Sequence, residues 1–311
     1  MESQLKLRIA TRGSQLALWQ AEHVKSRLLK IDPSLEIELK IIKTQGDKIL
    51  DVSLAKIGGK GLFVKEIEQA MMDDEADLAV HSMKDVPAEL PEGLILQAIL
   101  EREDPRDAFV SNKYKSLDEL PEGAVVGTSS LRRASQLYRQ YPVKTELLRG
   151  NVNTRLAKLD DDKYDAIILA AAGLIRLEFG DRIADSLDPD KFIPSPGQGA
   201  VGIECREDDA ELCALLNKLN HTETSIRVKV EREFNLAIGG SCQVPAGCYA
   251  TIDGDSFALR AFVASPDGKE YYREDMSGDL KDLPGKGTEI ANKLIARGAA
   301  EIIKDLLGKD V

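Results

Sequence analysis

The chain has 311 residues, of which 43% are hydrophobic and 31% charged, a composition typical of a soluble globular protein with room for two or three domains. Its formal net charge of −11 argues against nucleic-acid binding as the main function, because phosphate neutralisation needs a basic face. No apolar run reaches the roughly 18 residues of a membrane span, and the N-terminus lacks the apolar segment and cleavage site of a secretory signal. We therefore expect a cytoplasmic protein that binds neither nucleic acid nor membrane.

The first hundred residues alternate between short β-rich runs and segments of helical periodicity. Strands are predicted over 5–10, 37–42 and 77–81. Helices are predicted over 14–30 and directly after the glycine-rich segment 58–61. Strands that alternate with helices in this way indicate a mostly parallel sheet covered by helices.

The same alternation starts again near Asp107. The predicted elements of this block are strands over 124–127, 145–148 and 165–170 and helices over 131–140 and 152–159. Two proline-marked stretches, 103–106 and 193–197, flank the block, and we interpret them as crossovers between two α/β lobes. A strand predicted over 199–205 would return the chain to the first lobe.

The pattern changes from about His221. A helix predicted over 224–235 leads to a glycine-rich loop, and the strands beyond it are joined by Asp253-Gly254 and by 266–268, which are typical hairpin turns. Two helical stretches divided at Gly298 close the chain. We therefore predict an α/β protein of two lobes with mostly parallel sheets and a small α+β third domain. The predicted domains comprise residues 1–102 with 199–218, residues 103–198 including the hinge segments, and residues 219–311.

Basic and hydroxyl-bearing side chains follow five of the predicted strands, in segments 11–14, 82–85, 127–133 and 149–155 and at Arg176. Ligands of open α/β sheets bind beyond the carboxyl ends of the strands, where helix N-termini favour anions. Arginine adds bidentate recognition of carboxylates. The junctions together predict a cleft for a small molecule with several negative groups, although any single arginine could equally be a solvated surface residue.

Asp85 is a lone carboxylate among these basic groups. It is either a helix cap or ion-pair partner of Lys84 or an arginine, or a group that stabilises developing positive charge or moves a proton. Lys60 lies in the glycine-rich segment 58–61, which lacks the spacing of a nucleotide-binding P-loop. We interpret that segment as a mobile lid, with a plain loop before a helix as the alternative.

The chain has four cysteines and three histidines, without a C-x-x-C pair, so we expect no metal site. Cys205, Cys213 and Cys248 are expected to be free thiols in a reducing compartment. Cys242 differs, because glycines and a proline flank it in the exposed, shaped loop 239–245. It could be a nucleophile, an attachment point or an inert thiol, and composition leaves these three open.

Seven motifs, in one order, resemble the porphobilinogen deaminase family. They are 12–17 (RGSQLA), 58–63 (GGKGLF), 79–87 (AVHSMKDVP), 127–133 (GTSSLRR), 149–155 (RGNVNTR), 196–200 (PGQGA) and the loop around Cys242. The resemblance implies two periplasmic-binding-protein-like lobes and a third domain that carries a cofactor cysteine. It also implies a dipyrromethane cofactor joined to Cys242 by a thioether. Such enzymes condense four porphobilinogen molecules head to tail and release linear hydroxymethylbilane for heme biosynthesis.

The resemblance also implies roles for individual residues, with Asp85 as the catalytic group. The implied cofactor-binding residues are Cys242, Ser14, Lys84, Asp85, Thr128, Ser129, Ser130, Arg132, Arg133 and Arg155. The implied substrate-binding residues are Arg12, Ser14, Arg149, Arg155, Arg176 and, in a mobile loop, Lys60. The chain departs from the commoner family pattern at Gln15 and at Ser241, where proline and glycine are more frequent.

Two other functions fit parts of the pattern. A two-lobed solute-binding protein would account for the lobes and the arginines but not for Asp85 or the Cys242 loop. A transferase that uses Cys242 as a transient nucleophile would need a nearby base, and no histidine is close to it in sequence. We expect a monomer, because no long exposed apolar stripe is evident.

Overall fold

The computed structural model describes residues 6–48, 61–240 and 243–308. Lys60, Ser241 and Cys242 lie outside these ranges. The described strands are β1 (Lys6–Thr11), β2 (Glu36–Ile41), β3 (Leu78–Ser82), β4 (Leu94–Ile99), β5 (Asp107–Val110), β6 (Val125–Gly127), β7 (Lys144–Glu146), β8 (Ala166–Ala170), β9 (Asp185–Ser186), β10 (Val201–Arg206), β11 (Ala246–Asp253), β12 (Ser256–Ala264) and β13 (Tyr271–Asp279).

The described α-helices surround three sheets. They are α1 (Gln15–Ile31), α2 (Gln45–Lys48), α3 (Lys65–Met72), α4 (Leu131–Gln140), α5 (Val152–Asp160), α6 (Ala171–Arg176), α7 (Ala210–Asn217), α8 (Thr222–Ala237), α9 (Lys286–Leu294) and α10 (Ala300–Leu307). For each strand and helix that was predicted with both bounds, the observed first and last residues lie within two residues of the predicted ones. Strands β4, β5 and β9 and helices α2, α6 and α7 were not predicted, and β11, β12, β13, α3, α9 and α10 were predicted without both bounds.

The two five-stranded sheets share one arrangement. Their strand orders are β2-β1-β3-β10-β4 and β7-β6-β8-β5-β9. In each sheet one strand, β10 or β5, runs antiparallel to both of its neighbours. The remaining strands share one direction, so the prediction of mostly parallel sheets is confirmed. The predicted return of the chain to the first lobe is also confirmed, because β10 lies between β3 and β4.

Helix α1 shows why the first lobe folds as the sequence predicts. Its buried stripe of Ala21, Val24 and Leu28 packs in one core with residues of β1 and β3. Ser14 caps the helix, because its hydroxyl accepts a hydrogen bond from the Ala17 N–H at 3.3 Å. Only residues 12–14 separate the end of β1 from the start of α1, so this junction lies at the edge of the sheet.

The third sheet is the antiparallel meander β11-β12-β13, and α8 and α9 pack against its strands. The turn at 254 has a glycine with φ of 56°, as the predicted hairpin requires. The division at Gly298 is also present, because that residue has φ of 126° within the π-helical stretch Ile295–Ala299. The predicted fold class, two α/β lobes with mostly parallel sheets and a small α+β domain, is confirmed; the domain bounds remain a prediction.

A buried carboxylate joins the third domain to both crossovers. Glu231 of α8 pairs with Arg102 at 2.6 Å and accepts hydrogen bonds from the N–H groups of Gly197 at 2.7 Å and Ala250 at 3.0 Å. Arg102 lies just after β4, and Gly197 just before β10. The pair therefore ties the third domain to the two segments that link the lobes. None of the described helices is long and apolar enough to cross a membrane.

Candidate active site

The main cavity lies where the three domains meet and has a volume of about 400 Å³. Its wall includes the 3-10 turn Met83–Asp85, the start of α4, the crossover at 195–198 and the end of α8. A smaller cavity of about 60 Å³ is lined by Arg12, Ser14, His81 and Asp85, among others. Asp85 lines both cavities, so a group bound in either one can reach its carboxylate.

Backbone contacts and close packing hold the turn that carries Asp85. The Met83 N–H donates to the Ala200 carbonyl at 3.0 Å, and the Met83 side chain is buried. A Cβ at Gly202 would overlap the Met83 sulfur, and one at Gly197 would come within 2.9 Å of the Met83 Cβ. Both glycines therefore make room for Met83, which directs the following Asp85 outward, where it is exposed.

Arg12 and Ser14 follow β1 at the smaller cavity. The Arg12 guanidinium lies 4.1 Å from the centroid of the Phe63 ring, a cation–π geometry that orients it. Phe63 lines both cavities. The structure therefore brings together Arg12, Ser14 and Asp85 as the sequence predicts.

The second lobe contributes Arg132 and Arg133 from the first turn of α4, which Ser130 caps. Both guanidiniums pair with the fully buried carboxylate of Asp107, each at 2.7 Å. Arg132 also donates to the Ile193 carbonyl at 2.8 Å. Although burial raises the pKa of Asp107, the two arginines outweigh it and lower that pKa to about 2. The arginines are thus rigidly positioned, with part of their donor capacity already used.

Thr128 and Ser129 use their hydroxyls within the protein. The Thr128 hydroxyl accepts a hydrogen bond from the Ser130 N–H at 3.2 Å, and the Ser129 hydroxyl donates to the Leu148 carbonyl at 2.5 Å. These contacts shape the loop between β6 and α4. Ser130 is the member of this group that lines the main cavity.

Lys84 and Arg155 lie close enough to affect each other electrostatically. Burial lowers the pKa of Lys84, Arg133 and Arg155 add to the shift, and Asp85 and Asp107 oppose it; the resulting pKa is about 8. Burial likewise lowers the pKa of Arg155 to about 10, together with repulsion from Arg133 and Arg149. The site therefore holds an excess of positive charge that an anionic ligand would stabilise.

Arg149 and Arg176 occupy different surroundings. Burial and repulsion from Arg12 lower the pKa of Arg149. Arg12 belongs to the first lobe and Arg149 to the second, so the two guanidiniums face each other across the cleft. Arg176 donates to the Gly199 carbonyl at 2.8 Å and lies 5.6 Å from the Trp19 ring centroid. Arg176 is the last residue of α6, and these contacts reach α1 of the first lobe and the segment before β10.

Sequence reasoning missed two contributors, Asp107 and Arg232. Arg232 of α8 lines the main cavity and donates to the carbonyls of Pro87 at 2.9 Å and Ala88 at 3.1 Å, just beyond Asp85. The signal for Asp107 was a charged residue at the start of a buried strand. Arg232 lies ten residues before Cys242 on a helix that the sequence did predict, but its partner is far away in the chain.

The third domain also reaches the same cavity. Gly240 and Gln243, the described residues on either side of 241–242, both line it. Gly240 has φ of 63°, and a Cβ there would lie 3.0 Å from the Ala88 Cβ. The segment after Asp85 and the loop of the third domain are therefore in close contact.

Three of the solved structures to which this chain is similar each match somewhat more than two thirds of it. A putative methionine-binding lipoprotein from Bacillus subtilis is 14% identical, covering 70% of this chain and 92% of its own, with a TM-score of 0.42. An ABC transporter periplasmic substrate-binding protein from Coxiella burnetii is 12% identical, covering 68% and 91%, with a TM-score of 0.43. The BvgS VFT2 domain from Bordetella pertussis is 17% identical, covering 69% and 85%, with a TM-score of 0.42.

Family models match most of the chain. Residues 7–214 match the dipyromethane cofactor binding domain of porphobilinogen deaminase. Residues 225–296 match the C-terminal domain of porphobilinogen deaminase. The two matches include the Asp85 turn, the arginines of both lobes and the loop around Cys242, and they show that this chain belongs to the porphobilinogen deaminase family.

Proposed function

We propose that this protein is a hydroxymethylbilane synthase of tetrapyrrole biosynthesis. It would deaminate four porphobilinogen molecules, condense them head to tail on a dipyrromethane primer attached to Cys242, and release linear hydroxymethylbilane by hydrolysis. Family membership supports the substrate and the cofactor. The geometry of the cleft supports the residue roles.

The described residues fit a cofactor that carries several carboxylates. Lys84, Arg133 and Arg155 each have a pKa lowered first by burial and also by a neighbouring cation. Carboxylates bound among them would relieve this repulsion and form charge-assisted hydrogen bonds. Gly240 and Gln243 line the same cavity, which supports an anchor in the loop between them. The dipyrromethane would supply a covalently held carbon nucleophile to which substrate units are joined.

The position of Asp85 is the observation that carries the proposal. It is an exposed carboxylate that lines both cavities and is surrounded by the basic groups that bind anions. Porphobilinogen is anionic at its rim, but loss of ammonia leaves a cationic azafulvene. Asp85 can stabilise that cation and accept hydrogen bonds from pyrrole N–H groups. A carboxylate in this position can also accept the proton released by each condensation.

The remaining residues bind and orient. Arg12 and Ser14 in the smaller cavity would hold the acetate or propionate groups of the incoming substrate, with Arg149 and Arg176. Lys84, Ser130, Arg132, Arg133 and Arg155 would hold those of the cofactor, with Thr128 and Ser129 shaping the loop. Lys60 would cover the cleft during reaction. We also infer a cytoplasmic monomer that needs no metal, nucleic acid or membrane.

Asp85→Ala tests the assigned role. Because Asp85 is exposed, we expect the variant to fold, to keep its cofactor and to lose roughly 10²–10⁴-fold in turnover, the range for a positioned electrostatic or proton-transfer group. Porphobilinogen consumption and ammonia release would be measured beside Asp73→Asn, which changes an exposed carboxylate at the end of α3. Substantial turnover in Asp85→Ala would rule out the role.

Intact mass under denaturing conditions tests the cofactor and its anchor. We expect an excess equal to two pyrrole units in the native protein and none in Cys242→Ser. An unmodified native protein should gain pyrrole units when incubated with porphobilinogen. A protein that gains none would instead favour the solute-binding alternative.

A further inference from the structure

Three buried titratable side chains that the proposed reaction does not use lie behind the Asp85 turn. They are Glu68 of α3, His81 of β3 and Glu204 of β10, which are 5%, 5% and 0% exposed. In the sheet register Glu204 lies opposite Ala79 and Gly202 opposite His81, so Glu204 and His81 share a sheet face. Ile67 and Met71 of helix α3 pack with Ala79, which lies on the same face as His81. The strand order therefore brings two acids and an imidazole together.

His81 and Glu204 are in close contact. The His81 Nε2 lies 2.8 Å from the Glu204 Oε2, although the contact is not aligned as a hydrogen bond. Within the described residues, neither carboxylate oxygen of Glu204 has a hydrogen-bond donor. A buried carboxylate without donors is costly to keep charged, so its electrostatic neighbours decide the state of the cluster.

Glu68 is the buried acid whose pKa is raised by Glu204. Burial raises the pKa of Glu68 and Glu204 adds to the rise, whereas His81 and Lys65 oppose it; the resulting pKa is about 7. Its Oε1 also has no donor among the described residues. Two buried carboxylates that face each other cannot both ionise cheaply, so a proton on Glu68 relieves their repulsion. Arg232 of α8 and Cys205 of β10 also interact electrostatically with Glu204.

The cluster is connected directly to Asp85. His81 is four residues before Asp85, and both line the smaller cavity. Gly202, opposite His81 in the sheet, is the glycine that makes room for Met83. The cluster is not arranged as a metal centre, because the described residues contain no group of three or more ligands suited to one. A charge change here would thus act on the strand end from which the turn begins.

We propose that Glu68 is a positioning residue whose protonated carboxyl completes a proton-holding cluster with His81 and Glu204 and keeps the Asp85 turn in place near neutral pH. The importance of the turn for catalysis rests on the proposed function. The existence of the cluster does not, because it can be measured through stability.

The first test compares urea unfolding of the wild type and Glu68→Gln from pH 4.5 to 8. The pKa of Glu68 is about 7 in the folded protein against 4.5 as its ordinary value, so the folded state binds the extra proton between these pH values. The unfolding equilibrium constant of the wild type should therefore rise by up to about tenfold per pH unit relative to the variant in that window. Glu75→Gln, an exposed acid just after α3, is the control and should follow the wild type. Identical pH slopes for the wild type and Glu68→Gln would overturn the proposal.

A second variant keeps the test decisive if Glu68→Gln fails to fold. Glu204→Gln removes the charge that opposes ionisation of Glu68. The pH range over which the wild type loses stability should then move to lower pH. An unchanged range would show that the two acids are not coupled.

The pH profile of kcat tests the link to the turn. At one pH unit above a pKa of about 7, only about a tenth of Glu68 stays protonated. The ratio of kcat in Glu68→Gln to that in the wild type should rise about tenfold from pH 6 to pH 8, while intact mass shows equal cofactor loading. A constant ratio would contradict the positioning role. A wild type that consumes no porphobilinogen would instead contradict the proposed function and leave the unfolding result valid.

Discussion

The two lobes share one strand order but treat a buried acid in opposite ways. Asp107 in the second lobe is fully buried and is met by Arg132, Arg133 and Gln198, and its pKa is lowered to about 2. Glu68 in the first lobe is almost as buried, and its pKa is raised to about 7. Burial acts in the same direction on both pKa values. The number of cations and donors facing each acid decides the outcome.

The difference matches the task proposed for each lobe. The second lobe must hold arginines at fixed positions to bind carboxylates, and a permanently charged Asp107 holds them. The first lobe must present Asp85 freely to the cavity, and it positions the turn with backbone hydrogen bonds and with Met83 packed against Gly197 and Gly202.

Asp107→Asn should have the largest effect on stability. It would leave two buried guanidiniums without a compensating charge, which typically costs about 3–5 kcal/mol in the free energy of unfolding. Urea unfolding at pH 7 measures it. Asp104→Asn is the matched control, because Asp104 pairs with the partly exposed Arg106 and should cost less than about 1 kcal/mol. Equal losses in both variants would mean that the second lobe does not depend on the buried charge.

Gly202→Ala tests the packing of the first lobe and should have an intermediate effect. The added methyl group would overlap the buried Met83 sulfur, and such overpacking costs about 1–3 kcal/mol. We also expect reduced turnover, because Met83 precedes the Asp85 turn. Gly180→Ala, where nothing lies within 4 Å of the added group, serves as the control. A variant as stable and active as the wild type would show that Met83 moves without disturbing Asp85.

Lys84 should give the smallest effect, and its sign differs from that of Glu68. Its pKa is about 8 in the folded protein and 10.5 as its ordinary value, so the unfolded state binds more protons between these values. Unfolding free energy should therefore rise with pH in this window. Because the side chain is partly exposed, we expect only about 1 kcal/mol.

The measurement compares two proteins that both carry Cys242→Ser and therefore cannot anchor the cofactor. One also carries Lys84→Met, and the other keeps Lys84. The difference in unfolding free energy between the two proteins should change from pH 8 to pH 10. A difference that stays constant over this range would contradict the lowered pKa of Lys84. Restoring the anchored cofactor should reduce the change, since bound carboxylates stabilise the charged ammonium.

The sequence by itself determined the local structure and the chemistry at the strand ends. Hydrophobic periodicity predicted α1, α4 and α8 closely, because amphipathic helices bury one face in any compact fold. Ser14 and Ser130 cap their helices through partners only three residues away, so these contacts are local in the sequence. The placement of Arg12, Lys84 and Asp85 at one sheet edge followed from the rule for open α/β sheets.

Only the tertiary structure decided which buried charges meet. Asp107 and Arg132 are 25 residues apart, and Ala88 and Arg232 are 144 residues apart. These contacts depend on the two crossovers, after which β5 joins the sheet of the second lobe and β10 joins the sheet of the first, each as an antiparallel strand. Hydrophobic periodicity carries no information on the order of strands in a sheet. The pKa values of Asp107 and Glu68 depend on the same contacts, because the free energy of a buried charge is set by the groups that surround it in space.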